Sequence, residues 1–272
     1  MARRATTVHV LNGIFHALED SYPKTIGEPM SLHDEYVKSG NKLFRARGYL
    51  PLLFVPVILF TLHRYHFLGG SRQIDGTWEA VCVFVSLSGL FIRMMVAGYT
   101  RGQTSGRNTK EQEAGSLNTT GLYSVVRHPL YVGNFLMWLG IAAFVHSISL
   151  VLIFVLAFWL YYERIMFAEE EFLRRRFGEA FAVWARRTPA FIPRLRGWRA
   201  PDVPISWKRI LKREYSSLLA ISLGFAVLDL VVDAFAGEKK LEMDLSWKVF
   251  LSFSVMTYLV LRWAKKRGLL SG

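Results

Sequence analysis

Apolar residues in this chain gather into long blocks, and charged residues gather between them. The first block runs from Gly48 to Gly70, with Arg64 near one end, where its aliphatic stem can carry the charge to an interface. The second spans Thr77 to Thr100. The third, Pro129 to Tyr162, contains no Asp, Glu, Lys or Arg. One helix of that length would reach roughly 50 Å, against a bilayer core of about 30 Å. The stretch is therefore expected to fold as two helices that turn near His146, Ser147, Ile148 and Ser149. Further blocks cover Tyr215 to Phe235 and Trp247 to Trp263. The pattern predicts an all-α, polytopic membrane bundle of about six transmembrane helices, with a helical hairpin in its middle.

The polar stretches have their own periodicity. Val8, Leu11, Phe15 and Leu18 recur at near-helical spacing among polar residues, which predicts a short amphipathic helix at an interface. A second amphipathic helix is expected from near Glu163 to about Arg187, carrying Ile165, Phe172, Phe177, Phe181 and Trp184. Pro189 and Pro193 would end it. The chain thus divides into an interfacial segment over 1–47, a first helix pair over 48–100, a central region over 101–213 and a last helix pair over 214–272. Within the central region lie the apolar hairpin, 129–162, and the cytoplasmic helix, 163–187.

The net charge of +13 comes from the segments between the blocks. Arg101 to Arg127, Arg164 to Arg213, and Arg262 with Lys265, Lys266 and Arg267 are all rich in Lys and Arg, and six spans bring them to one side. The positive-inside rule then puts that side, with both termini, in the cytoplasm. In a bacterium the membrane would be the inner one. The opposite connections are less basic, since Glu238, Glu242 and Asp244 offset Lys239 and Lys240. A basic excess with no nucleic-acid motif argues against a nucleic-acid partner. The lone cysteine, Cys82, lies in an apolar block and forms no intrachain disulfide. The N-terminus lacks the apolar core of a cleavable signal peptide. His63 and His66 are spaced for a metal but lack a third ligand, so no metal site is expected.

Two ordered motifs carry the chemistry. One is Leu117-Asn-Thr-Thr-Gly-Leu-Tyr-Ser-Val-Val-Arg-His-Pro-Leu-Tyr-Val-Gly133. The other follows the hairpin: Glu169-Glu-Glu-Phe-Leu-Arg-Arg-Arg-Phe-Gly178, then Phe181, Trp184 and Phe191-Ile-Pro193. Together they resemble the isoprenylcysteine carboxyl methyltransferase and phospholipid methyltransferase superfamily. That family shows a pattern close to L-x-T-x-G-x-Y-x-x-x-R-H-P-x-Y-x-G, then E-E-x-x-L-x-x-x-F-G and a terminal I-P. The family's tyrosines after F-G stand here as Phe181 and Trp184, which keeps aromatic bulk and loses hydroxyls. Gly115 and Ser116 occupy the place where many relatives carry a histidine, so no cofactor contact is carried over there.

The resemblance implies S-adenosylmethionine as cofactor, bound by helices and loops at the membrane edge, since the chain has no Rossmann fingerprint. Such a site needs donors for a carboxylate, an acidic partner for an ammonium and an apolar slot for adenine. Arg127 and His128 supply donors and are the catalytic candidates. Glu169 and Glu170 supply carboxylates, and Tyr123 and Tyr131 supply aromatic faces. By resemblance His128, Tyr131 and Glu170 contact the cofactor, and Leu117, Gly121, Tyr123, Gly133 and Glu169 complete the expected cofactor-binding set.

Several of these residues have plainer readings. An Arg-His pair before a membrane helix is often an interfacial anchor. Pro129 suits a first helical position, a surface glutamate is usually solvated, and Gly133 with Gly140 fits small-residue packing. Arg93 lies inside the second block, where it either snorkels or meets an anionic head group. Asp229 and Asp233, four residues apart on one face of the fifth block, either pair with a basic residue or mark the outer end of the helix.

Arg93, Arg101, Arg107, Lys110, Asn118 and Arg127 form the acceptor-binding set. It is richer in cations than in bases, which favours an acceptor already ionised at neutral pH. The expected substrate is a membrane lipid or lipidated molecule with a phosphate or carboxylate, a phosphorylated lipid such as lipid A being preferred. The alternatives are an isoprenylcysteine carboxylate, a phospholipid amine, and a catalytically silent lipid-binding protein.

Overall fold

The computed structural model describes residues 31–63, 72–100, 114–235 and 243–270. The amphipathic pattern from Val8 to Leu18, the segment holding Arg101, Arg107 and Lys110, and His66, Lys239 and Lys240 lie outside the described residues. The chain divides into two compact units, 1–35 and 36–272. In the first, the Ser31 hydroxyl accepts a hydrogen bond from the Asp34 amide at 3.2 Å and caps the start of α1 (Leu32–Ala46). All that follows concerns the second unit.

After α1 come a 3₁₀ turn (Leu50–Phe54) and α2 (Val55–Leu62), then α3 (Arg72–Tyr99), α4 (Pro129–Ala143), α5 (Ile148–Phe177), α6 (Glu179–Arg187), α7 (Trp207–Phe235) and α8 (Leu245–Lys266). Among the described residues, four stretches are long and apolar enough to cross a membrane: Ile74–Tyr99, Ile148–Phe177, Trp207–Phe235 and Leu245–Lys266. The shorter apolar helices Leu52–Leu62 and Pro129–Ala143 complete the six expected runs. The protein is a helical membrane bundle, and large apolar side chains such as Phe84, Phe91, Leu156, Phe253 and Val260 stand exposed on its outer faces.

The third block does fold as two helices, but unequal ones. At 15 residues α4 reaches only about 22 Å, whereas the 30 residues of α5 reach about 45 Å. The separate amphipathic helix expected from Glu163 does not form as such. A switch from apolar to charged side chains does not interrupt a backbone of good helix formers, so α5 continues to Phe177. The break comes at Gly178, whose φ of 51° and ψ of −123° suit a residue without Cβ, and α6 follows.

In lipid, helices gain little from hydrophobic association and pack through close backbone approach. α3 and α4 do so antiparallel. A Cβ on Gly89 would lie 2.4 Å from the Gly133 carbonyl oxygen, and one on Gly140 would lie 2.3 Å from that of Cys82. The Ser86 hydroxyl donates to the Met137 carbonyl at 2.8 Å, and Trp78 Nε1 donates to the Ala143 carbonyl at 2.9 Å. Phe144, Phe225 and Trp247 then join α7 and α8 to the core. Asp75, His146, Asp229 and Asp244 lie at one end of the bundle, while Arg93, His128 and Glu214 lie toward the other.

Candidate active site

The two sequence motifs are laced together by main-chain hydrogen bonds. The Gly121 amide donates to the Arg199 carbonyl at 2.9 Å, Arg194 to Val125 at 3.0 Å, Arg127 to Pro189 at 2.8 Å and His128 to Ala190 at 3.1 Å. Gly121 starts this segment at φ 60° and ψ −136°, a conformation that a Cβ disfavours. Phe191 plugs the lacing into the bundle against Phe135, Phe158 and Trp159. Where relatives carry tyrosines, Phe181 is buried and Trp184 Nε1 donates to the Tyr123 carbonyl at 3.0 Å. An indole N–H thus provides a polar link across the fold.

Held in this way, His128 precedes Pro129 at the start of α4 and faces the far end of α5. Its Nδ1 lies 3.4 Å from Glu169 Oε2, and its Nε2 lies 3.0 Å from Glu170 Oε1. A carboxylate beside each ring nitrogen favours the protonated form, in which both nitrogens are donors. Burial works against that charge, but the hydrogen bonds to Glu169 and Glu170 outweigh it and hold the pKa above its ordinary 6.5. Desolvation, with the Glu169 charge adding to it, pushes the Tyr123 phenol up, so it stays neutral.

Arg127 also leans on Glu170, with Nε 2.9 Å from Oε1. That Nε is buried and its N–H points off line, so the contact is a charge pair without a hydrogen bond. Nη1 donates to the carbonyls of Ala185 at 2.8 Å and Thr188 at 3.2 Å, which ties α6 to the site. Glu171 points elsewhere and pairs with Arg175 at 2.8 Å.

The structure thus brings Arg127, His128, Glu169 and Glu170 into one constellation, with Tyr131 stacked on His128 at 5.6 Å between centroids. Tyr131 is itself covered by Tyr162 at 4.8 Å, and Tyr162 stacks on Phe158 at 4.1 Å. This aromatic column runs from the charged cluster into the apolar interior, so Tyr131 serves as part of a wall. Leu117, Asn118 and Tyr123 are half-buried on the adjoining loop. Gly133 stands on the packing face of α4, where a Cβ would meet Arg93 Cγ at 2.7 Å.

Arg93 has an internal partner that the linear pattern did not reveal. Its Nε and Nη2 donate to the Glu214 carboxylate at 2.9 and 3.0 Å, and Nη1 donates to Asn134. Asn134 in turn donates to the Tyr162 hydroxyl at 3.4 Å. Glu214, Asn134 and Tyr162 were absent from the expected site. Their signal was weak, because Glu214 is 121 residues from Arg93 in the chain. Among the described residues, no group of three or more His, Cys, Asp or Glu side chains is arranged to hold a metal ion.

Comparison with known proteins places this site in context. A family model described as phospholipid methyltransferase matches residues 79–180, which contain Arg93, Arg127, His128, Glu169 and Glu170. The chain is 36% identical over 181 residues to the nickel-cobalt-cadmium resistance protein NccN of Alcaligenes xylosoxydans xylosoxydans, covering 66% of this chain and 78% of that protein. The cobalt-zinc-cadmium resistance protein CzcN of Cupriavidus metallidurans is 35% identical, with the same coverage. The protein-S-isoprenylcysteine O-methyltransferase of Schizosaccharomyces pombe is 34% identical over 77 residues, 28% of this chain and 33% of that one. No solved structure matches this chain significantly.

Proposed function

We propose that this chain, which belongs to the isoprenylcysteine carboxyl methyltransferase and phospholipid methyltransferase superfamily, methylates an anionic oxygen on the head group of a membrane-embedded substrate. It is an integral membrane, S-adenosylmethionine-dependent methyltransferase. When bound, that cofactor supplies an electrophilic methyl group on a cationic sulfonium. The residues present suit it. Glu169 and Glu170 offer carboxylates for its ammonium, and Arg127 Nε, buried and without a hydrogen bond although ion-paired to Glu170, is an unsatisfied donor beside them.

One observation carries the choice of acceptor. His128 has Glu169 and Glu170 beside its two ring nitrogens, an arrangement that favours its protonated form and so disfavours it as a general base. An amine acceptor is an ammonium at neutral pH and must lose a proton before it can attack. A phosphate or carboxylate oxygen needs no such step. The chain's own task is then to orient the acceptor, exclude water and leave its attacking oxygen unneutralised.

A small apolar cavity bounded by Phe54, Ile58, Trp138, Leu150, Phe154 and Phe158 lies among α2, α4 and α5. We favour a phosphorylated lipid, such as lipid A, over the isoprenylcysteine carboxylate. The relatives named for metal resistance support that preference. Methylating a phosphate removes one ionisable oxygen and so weakens its hold on divalent cations. The basic end of the bundle, with both termini, is assigned to the cytoplasm.

The test is a panel of acceptors given to the purified enzyme with isotopically labelled S-adenosylmethionine: a lipid phosphomonoester, an S-farnesylcysteine carboxylate and phosphatidylethanolamine. Mass spectrometry should find one added methylene mass on the phosphate lipid. Methylation of the amine alone would refute the anionic-acceptor reading, and methylation of the farnesylcysteine alone would shift it to a carboxylate.

A further inference from the structure

The loop that follows α6 exposes apolar side chains that a water-facing loop would hide. Ile192, Leu195 and Trp198 are 79%, 76% and 54% exposed. Leu195 and Trp198 stand at the ends of a 3₁₀ turn, closed by the Trp198 amide on the Leu195 carbonyl at 3.1 Å, and side chains three apart in such a turn share a side. Arg194, Arg196 and Arg199 are interleaved with the apolar residues and are exposed as well. Over residues 186–199 the chain holds five arginines and no acidic residue.

Phe191, just before the loop, sets its depth. Its ring packs against Phe135, Phe158 and Trp159 at 5.8, 6.3 and 5.7 Å between centroids. Phe135 lies about 9 Å along α4 from the first residue of that helix. Trp159 belongs with Leu156 and Leu160 to the exposed face of α5. Ile192 therefore leaves the bundle at a level where α5 already faces hydrocarbon. Irregular backbone can lie near that level only if its polar groups are satisfied. Here Pro193 has no N–H to satisfy. The Arg194 amide donates to Val125 at 3.0 Å, the Gly197 amide to Arg194 at 3.3 Å, and the Arg199 amide to the Ser124 hydroxyl at 2.9 Å.

The arginines select what covers this surface. Among the described residues Arg186 pairs with Glu179 at 3.2 Å, whereas Arg196 and Arg199 pair with no carboxylate. Arg194 turns back to the Arg187 carbonyl. Apolar side chains interleaved with guanidinium groups match an interface whose inner layer is hydrocarbon and whose outer layer is phosphate. A guanidinium fork suits phosphate oxygens, and a soluble protein would have to pass the head groups to reach Ile192.

We infer that the loop over 192–199 docks on anionic phospholipid of the surrounding leaflet, with Ile192, Leu195 and Trp198 entering the acyl region and Arg194, Arg196 and Arg199 holding the phosphates. This surface lies outside residues 79–180, the part of the chain that the family model matches. It does not depend on which acceptor is methylated.

The test uses the full-length protein in a Cys82→Ala background, with an environment-sensitive dye attached at Leu195→Cys. Vesicles are made of phosphatidylcholine alone or with phosphatidylglycerol, and both carry a quencher on the acyl chain just below the head group. Quenching should be strong with phosphatidylglycerol, weaker without it, and weak in both for the same dye at Arg186→Cys. Adding Arg196→Gln should lower the ratio of docked to undocked loop roughly fivefold, the worth of one basic residue near an anionic surface. Equal quenching in the two vesicle types, unmoved by Arg196→Gln, overturns the inference and leaves the three apolar residues as ordinary lipid-facing side chains. Absence of quenching in both overturns it as well. A dye shielded from quencher only at high protein-to-lipid ratio overturns it in favour of a second copy of the chain.

Discussion

The Arg93–Glu214 pair separates a structural role from a substrate role for a membrane-embedded arginine. The side chains are 18% and 6% exposed, and three hydrogen bonds bind Arg93 to Glu214 and Asn134. Removing one member leaves the other charge in a low-dielectric interior, at a cost of about 3–5 kcal/mol. For a chain of this size each kcal/mol moves the melting temperature by about 2–4 °C, so Arg93→Met or Glu214→Leu alone should lower it by roughly 6–20 °C. Replacing both with apolar side chains removes both desolvation penalties, and the double variant should recover most of the loss. The assay is built into the molecule. Cys82 is the chain's sole cysteine and is buried in α3, so a thiol-reactive dye reports opening of the bundle. If both single variants melt within about 3 °C of wild type, the pair contributes less than about 1–1.5 kcal/mol and the reasoning fails. If Arg93→Met keeps its stability but loses acceptor affinity, Arg93 is a substrate residue instead.

Three further outcomes follow from the site and the topology. Glu170→Gln should weaken S-adenosylmethionine binding at least about tenfold by equilibrium binding, because one carboxylate serves both His128 and Arg127, while Glu171→Gln should change it little; equal effects at the two would return the glutamates to a solvated face. The folded-state pKa of His128 is raised above its ordinary 6.5, so its contribution to stability is complete below about pH 6.5 and is lost as pH rises through the folded value. Wild-type melting temperature should therefore fall toward alkaline pH more steeply than that of His128→Asn, and matching profiles would rule out the imidazolium. Cysteine placed at Arg186 in a Cys82→Ala background should react with an impermeant thiol reagent from the cytoplasmic side alone, and reaction from outside would invert the assigned orientation.

The apolar runs were legible because lipid demands length and continuity, and both are written along the chain. Pro129 to Tyr162 had to turn, since no single helix of that length fits a bilayer, and the turn falls at Phe144–Ser147 between α4 and α5. The pairing of His128 with Glu169 and Glu170 was legible as two motifs in order, although only folding shows that both imidazole nitrogens are engaged. What escaped has a common physical cause. Glu214 acts through Arg93, and Asn134 through Arg93 and Tyr162, all far away in sequence, and a single polar residue in or beside an apolar run carries no periodic signal. The unbroken α5 escaped for another reason. A change from lipid-facing to water-facing side chains alters what a helix touches without altering whether its backbone continues.

That continuity has a mechanical consequence. α5 is a rod of 30 residues whose apolar half is clamped by lipid and whose other half bears Glu169 and Glu170. His128 sits at the head of α4, a helix of 15 residues that meets the bilayer on its own terms. When bilayer thickness changes, a long rod adjusts by tilting, and a tilt of a few degrees about the membrane midplane sweeps its far end sideways by an ångström or more. The distance between the imidazolium and its two carboxylates is therefore geared to the acyl-chain length of the surrounding lipid. Turnover measured across vesicles of graded chain length should show an optimum, and a flat response would mean that the main-chain lacing around Arg127 absorbs the tilt.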